Sequence, residues 1–176
     1  MIFNHWYVNG IPEEEKRSRT ILLFKAGDKR AVGNWRPITI GNLLNRIYAK
    51  VWDQRLRAHI TLSERQKAFV PLDGTFENVA LLREVIRSRK KARKELNLCF
   101  LDLAKAFDTV QHESVFEALA RKGVPSEVVG VIRDMYSEAT TEITNGLSST
   151  RRIRINSGVK QGCPLSPLLF NLVMDE

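Results

Sequence analysis

Residues 97–110, Asn-Leu-Cys-Phe-Leu-Asp-Leu-Ala-Lys-Ala-Phe-Asp-Thr-Val, constrain this chain more than any other stretch. Positions 98–103 form a short apolar run of strand length, and the pattern predicts a β-strand. A two-residue period puts Leu98, Phe100 and Asp102 on one face, with Cys99, Leu101 and Leu103 on the other. A carboxylate inside such a run is costly to desolvate unless a cation or hydrogen bonds receive it. Asp102 is therefore a candidate for chemistry rather than for packing. Asp108 follows six residues later, directly after Phe107, so acidic and aromatic groups gather where the strand is expected to end. Spacing alone also accommodates a plainer arrangement, with Asp102 at the surface and Asp108 capping the next helix.

A second stretch changes that balance: Ser157-Gly-Val-Lys-Gln-Gly-Cys-Pro-Leu-Ser-Pro-Leu-Leu-Phe-Asn. Together, Phe-Leu-Asp-Leu-Ala-Lys-Ala-Phe-Asp-Thr-Val and Gly-Val-Lys-Gln-Gly-Cys-Pro-Leu-Ser-Pro closely resemble two motifs of reverse transcriptases. The match is best to non-LTR retrotransposon enzymes, particularly those of elements that insert into ribosomal DNA. The two motifs occur in the right order, and further matches upstream extend the resemblance over nearly the whole chain. The resemblance implies an α+β fold, the fingers and part of the palm of a right-hand polymerase. Fingers would span roughly 1–96 and 124–160, and palm roughly 97–123 and 161–176. The implied function is template-directed DNA synthesis on RNA, primed by nicked chromosomal DNA. A group II intron polymerase is a close alternative, and a nucleic-acid-binding or folding unit without turnover is one of a different kind.

The same resemblance assigns roles. Nucleotidyl transfer uses two divalent cations roughly 4 Å apart, and Mg²⁺ takes hard oxygen ligands, usually one or two carboxylates plus substrate phosphates. Asp102 matches the first catalytic Asp, a metal ligand assisted by the backbone carbonyl of Leu103. Phe107 matches the aromatic that packs under the nucleotide sugar and excludes a 2′-hydroxyl. Asp108 follows the family pattern without being a metal ligand, so its implied role is structural. Gln161 and Gly162 match the loop that lines the nucleotide pocket and the template base. Lys25 and Arg36 match a Lys and an Arg that reach the triphosphate from the fingers, a task suited to the planar fork of Arg. Gln66, Phe69 and the Gly74-Thr75 pair match a block along the template path, although Ala68 stands where many relatives carry Gly. Reverse transcriptases also have a later hairpin bearing an Asp-Asp pair, and this chain contains no Asp-Asp dipeptide. Ending at Met-Asp-Glu inside an apolar helical pattern, it is expected to be cut before that hairpin and inactive alone.

Composition agrees with a polyanionic partner. Lys and Arg number 28 against 20 Asp and Glu, a formal charge of +8, and such an excess favours nucleic acid. The 43% hydrophobic content argues for a folded core rather than disorder. Lys29 and Arg30 join Lys25 and Arg36 on a basic hairpin, while Arg87, Arg89, Lys90, Lys91, Arg93 and Lys94 crowd one helix end. Arg152 and Arg154 alternate along a strand and complete the candidate backbone contacts, for which Arg87, Lys90, Lys91, Arg152 and Arg154 are named. Solvated surface charge explains these runs equally well. The expected partners are an RNA template, a DNA primer or target and deoxynucleoside triphosphates, with no membrane and, from the family, a nuclear location. Cys99 and Cys163 lack metal-ligand spacing and read as reduced thiols of an intracellular protein. His5, His59 and His112 form no cluster and read as structural.

Coarse secondary structure follows from period and punctuation. Strands are expected at 20–24 and from Trp35 onward, around a turn at Gly27. A helix over 42–60 carries Leu44, Ile47, Tyr48, Val51 and Leu56, with its aromatics assigned to the core. A second, over 75–94, turns Val79, Leu82, Val85 and Ile86 inward. Val115, Phe116 and Leu119 define a third, stopped by Gly123, and Ser126 is expected to cap a fourth. Asn145-Gly146 turns a hairpin with one basic face. Pro164 or Pro167 opens a last helix that buries Leu168, Leu169, Leu172 and Val173. A strand at 98–103 left with an unpaired edge would invite self-association.

Overall fold

Apolar side chains at helical spacing build the centre of the protein, and the sheet stands beside it. The computed structural model describes residues 1–175. In chain order the elements are α1 (Ile2–Asn9), β1 (Arg17–Phe24), β2 (Trp35–Gly41), α2 (Leu43–His59), α3 (Gly74–Lys91) and α4 (Ala106–Thr109). Then follow α5 (His112–Arg121), α6 (Ser126–Tyr136), β3 (Thr140–Thr144), β4 (Ile153–Arg154) and α7 (Ser166–Met174). The sheet has the order β2-β1-β3-β4. β1 is antiparallel to β2 and parallel to β3, and β4 closes antiparallel on β3. The α+β class expected from the sequence is thus observed.

α5, α6 and α7 supply the densest part of the core, where Leu119, Ile132, Leu168, Leu169 and Leu172 are fully buried. α5 ends in a Schellman motif: Val124 N–H donates to Leu119 O, Gly123 N–H donates to Ala120 O, and Gly123 adopts φ 76°. That is the stop expected of Gly123. α7 begins at Ser166 with Pro167 in its first turn, which settles the choice between the two prolines. α1 and α2 extend the core through aromatics. Trp6 meets Tyr48 edge-on at 5.4 Å, and both are buried with Trp52. The inward face of α2 is therefore Tyr48, Trp52 and Leu56 rather than one including Ile47, which is exposed. Its partner α1 offers rings, and rings select rings.

Beside the core, Asp134 of α6 ties down the chain between α1 and β1. One carboxylate oxygen accepts from Ile11 N–H at 2.7 Å, and the other takes the buried Lys16 ammonium. Removing one partner of such a pair strands a desolvated charge. Asp134→Ala is expected to cost about 3 kcal/mol, less than a fully buried pair because Asp134 keeps some solvent. Urea unfolding with an unshifted midpoint would contradict this.

Three expectations fail for stated physical reasons. Residues 98–103 form no regular secondary structure, and Leu98, Phe100, Leu101 and Leu103 are exposed. A strand exists only through a partner that satisfies its backbone groups, and among the described residues no strand pairs with this run. The stripe on α3 also turns outward: Val79, Val85 and Ile86 are exposed and Leu82 only half-buried. Period establishes that a stripe exists, and packing needs an opposing face. Ser126 is the first helical residue of α6 rather than its cap, since Pro125 precedes it and no side chain caps that end.

Candidate active site

The site is assembled from four separate segments. Lys105, in the left-handed region at φ 51°, leads the chain from the irregular run into α4. Its carbonyl accepts from Asp108 N–H at 2.8 Å. The short helix brings Phe107 onto Phe170 of α7, with ring centroids 4.8 Å apart, and onto Phe69 at 5.8 Å. Phe69 itself adopts φ 55°, a conformation disfavoured for a bulky residue. Two side chains hold that loop in place. Arg57 donates to the Phe69 carbonyl at 3.0 Å, and Asn171 donates to the Ala68 carbonyl at 2.7 Å. Arg57 is in turn held by the buried carboxylate of Asp53 at 2.7 Å.

The loop 157–163 is pressed between α4 and β2 by two glycines. Gly158 N–H donates to Val110 O at 2.7 Å and Val159 N–H to Phe107 O at 2.8 Å. Gly162, at φ 116°, lies so close to β2 that a Cβ there would stand 2.8 Å from Thr39 O. Thr39 N–H donates to Gln161 O, again at 2.8 Å, and Gln161 Nε2 donates to Asp108 Oδ1 at 2.8 Å. Behind this loop Lys160 sets its ammonium 5.8 Å from the Tyr136 ring centre. Burial pushes the Lys160 pKa down and the Tyr136 pKa up. His112 donates through Nε2 to the Gly158 carbonyl at 3.1 Å, and burial lowers its pKa. Its structural role is the one expected.

These segments enclose a cleft of about 930 Å³, within the size range of small-molecule sites. Lys25, Arg36 and Lys105 bring positive charge to it, while Phe69 and Phe107 form an aromatic floor. Asp108, Gln161 and Gly162 also line it. Six residues chosen from the sequence thus meet in one place: Lys25, Arg36, Phe69, Phe107, Gln161 and Gly162. Others do not join them. Asp102 and Leu103 lie exposed in the irregular run before α4, outside the cleft lining. Arg87, Lys90 and Lys91 sit on the exposed end of α3. Arg152 and Arg154 are paired with Glu142 at 3.3 Å and Glu138 at 2.6 Å, so the expected basic face is largely compensated. Gln66 spends its side-chain oxygen on Ala68 N–H at 3.1 Å, shaping the loop that carries Phe69.

Sequence reasoning did not find Lys105 as a cleft residue, the Asp53–Arg57 support under Phe69, or the Asp108–Gln161 contact. Lys105, Asp108 and Gln161 lay within recognised motifs, but the 53 residues between Asp108 and Gln161 leave no pattern that joins them. As for metal, Asp102 and the Leu103 carbonyl offer hard oxygens of the right chemistry. Among the described residues no group of three His, Cys, Asp or Glu comes together. The donors present fit one carboxylate's share of a metal site and no more.

A mixed sheet flanked by a helical core, with a cationic and aromatic cleft at their junction, defines an α+β domain suited to holding a phosphorylated, ring-bearing ligand. Residues 24–176 match the family described as reverse transcriptase (RNA-dependent DNA polymerase), and the chain belongs to that family. It is similar to the retrovirus-related Pol polyprotein from type-1 retrotransposable element R2 of Popillia japonica, at 44% identity over 94% of this chain and 24% of the relative. The corresponding proteins of Nasonia vitripennis and Bradysia coprophila are 37% and 35% identical over 99% and 100% of this chain. The chain spans 17% and 20% of those two relatives, so it covers a quarter or less of the length of all three.

Proposed function

We propose that this chain is the nucleotide-holding part of an RNA-directed DNA polymerase of the R2 retrotransposon type. What carries the reading is the convergence of Lys25, Arg36, Phe107, Gln161 and Gly162 on one cleft, from segments far apart in the chain. Each has the chemistry its position asks for. The Arg36 fork and the Lys25 ammonium, with Lys105 beside them, receive phosphate oxygens. Phe107, packed on Phe170 with ring centroids 4.8 Å apart, is placed to lie under the sugar and exclude a 2′-hydroxyl. Gln161 and Gly162 border the base. Fingers correspond to roughly 1–96 and 124–160, palm to roughly 97–123 and 161–176.

In the complete protein, divalent metal, generally Mg²⁺ in this family, stabilises the charge of the reacting phosphate. Asp102 with the Leu103 carbonyl contributes one ligand set. With a single candidate carboxylate, the chain alone is proposed to bind nucleic acid weakly and to catalyse nothing. The substrates are an RNA template, a DNA primer supplied by the target and deoxynucleoside triphosphates, and chromosomal priming puts the action in the nucleus. Gln66 and Phe69 border the template. Arg87, Lys90, Lys91, Arg152 and Arg154 add salt-sensitive contacts to phosphates, and the exposed apolar side chains Leu98, Phe100, Leu101 and Leu103 favour self-association of the isolated chain.

The sugar gate gives the test. Phe107→Val in the full-length protein opens space beside the sugar, so ribonucleotide use rises relative to deoxynucleotide. Selectivity is a ratio of kcat/KM values, and a fall of about tenfold or more in the preference for deoxynucleotide is expected. An unchanged ratio means that Phe107 is not under the sugar.

A further inference from the structure

We propose that Asp108 is a positioning residue of this cleft: its carboxylate fixes the amide of Gln161 so that the carbonyl oxygen Oε1, not the amino group, is left for the bound nucleotide. The inference rests on the polymerase reading for its ligand, and on geometry for the rest. A glutamine amide has two orientations of nearly equal shape and opposite hydrogen-bonding character. An ionised carboxylate only accepts. With Asp108 Oδ1 at 2.8 Å, Nε2 must face it, because the reverse orientation would set two acceptors against each other.

Both ends of the contact are held by backbone. Asp108 N–H is tied to Lys105 O at 2.8 Å, and Gln161 O receives Thr39 N–H at 2.8 Å. Behind them Gly158 abuts the Asp108 carbonyl, 3.0 Å from where its Cβ would be. The backbone at both ends is thus fixed against β2 and α4, and it sets the two side chains within hydrogen-bond reach. Both line the cleft, and among the described residues Gln161 Oε1 has no hydrogen-bond partner. Gln161 therefore offers an acceptor, which selects a nucleotide group able to donate a hydrogen bond. Asp108 acts through Gln161 and need touch no ligand.

The experiment is a double-mutant cycle in the full-length protein, read by single-turnover incorporation on a primed RNA template. Asp108→Asn lets the Gln161 amide turn over, and nucleotide KM is expected to rise about tenfold, the cost of one misdirected hydrogen bond, with a smaller change in kcat. Asp108→Glu keeps the acceptor and is expected to restore part of the loss. In a Gln161→Ala background Asp108→Asn should add nothing, since a residue acting only through its neighbour shows complete coupling. Additive effects overturn the proposal. A second measurement is independent of polymerisation: in the 176-residue chain, the side-chain amide protons of Gln161 should be shifted and protected from exchange, and Asp108→Asn should abolish both. If wild-type protein fails to incorporate nucleotide, the polymerase reading falls while the amide signals still decide the contact. Unprotected Gln161 amide protons in the wild type overturn the positioning role whatever the polymerase does.

Discussion

Replacing Asp102 by alanine in the full-length protein is expected to lower RNA-templated extension by about a thousandfold or more, with little change in RNA affinity or thermal stability. The size follows from what a metal ligand contributes. Several kcal/mol of charge stabilisation depend on it, and each 1.36 kcal/mol is a factor of ten in rate. The separation from stability follows from the structure. Asp102 is exposed and lies outside regular structure, where surface substitutions stay within about 0.5 kcal/mol. A variant that is folded, binds RNA and does not extend would isolate chemistry from folding at this residue. Extension at wild-type rates would remove Asp102 from the metal site, and with it the role implied by the motif.

Gly74→Ala is expected to produce the other large effect, by a different route. A Cβ at Gly74 would stand 2.0 Å from Lys67 O and 2.8 Å from Lys67 C, both backbone atoms. No rotamer relieves that, so either the start of α3 or the loop before it must move. The loop is the one that carries Phe69, whose carbonyl holds Arg57 and whose ring meets Phe107. Overpacking of this kind costs about 3 kcal/mol. Displacement of Phe69 also disturbs the cleft floor, so nucleotide KM should rise together with the fall in urea midpoint. Thr75→Ala, one position on and exposed, is expected to do neither. Wild-type stability in the Gly74 variant would show that the loop has freedom its hydrogen bonds do not suggest.

How much could be read from the chain depends on the range of the interaction. β1, β2, α2 and α5 declare themselves because period, capping and turn residues are local, and each lies close to its expected bounds. The run at 98–103 has strand composition and no strand, because pairing is a property of two segments and composition belongs to one. α3 shows the same gap between a stripe and a packed face. The parallel pairing of β1 with β3, sealed where the hydroxyls of Thr20 and Thr141 meet at 2.8 Å, joins residues 121 positions apart. Nothing in either segment announces the other. Six residues named from the motifs nonetheless line one cleft, and for a specific reason: motif resemblance carries the memory of three-dimensional proximity that spacing lacks. It names Phe107 and Gln161 separately. Only the structure joins Gln161 to Asp108, or sets Arg57 and Asn171 to hold the loop under Phe69.

The most direct measurement for the central claim, that the cleft holds the nucleotide rather than the template, is made on Arg36→Ala in the full-length protein. Arg36 is exposed at the cleft on β2, so its truncation leaves the fold intact and tests function alone. Single-turnover incorporation gives nucleotide affinity and rate, and equilibrium titration gives the Kd for primed RNA template. Loss of a charge-assisted contact to phosphate is expected to weaken nucleotide binding or its rate by about tenfold or more, with template Kd unchanged. The contradicting result is the reverse: template affinity falls while nucleotide kinetics hold, and Arg36 belongs to the nucleic-acid backbone track instead.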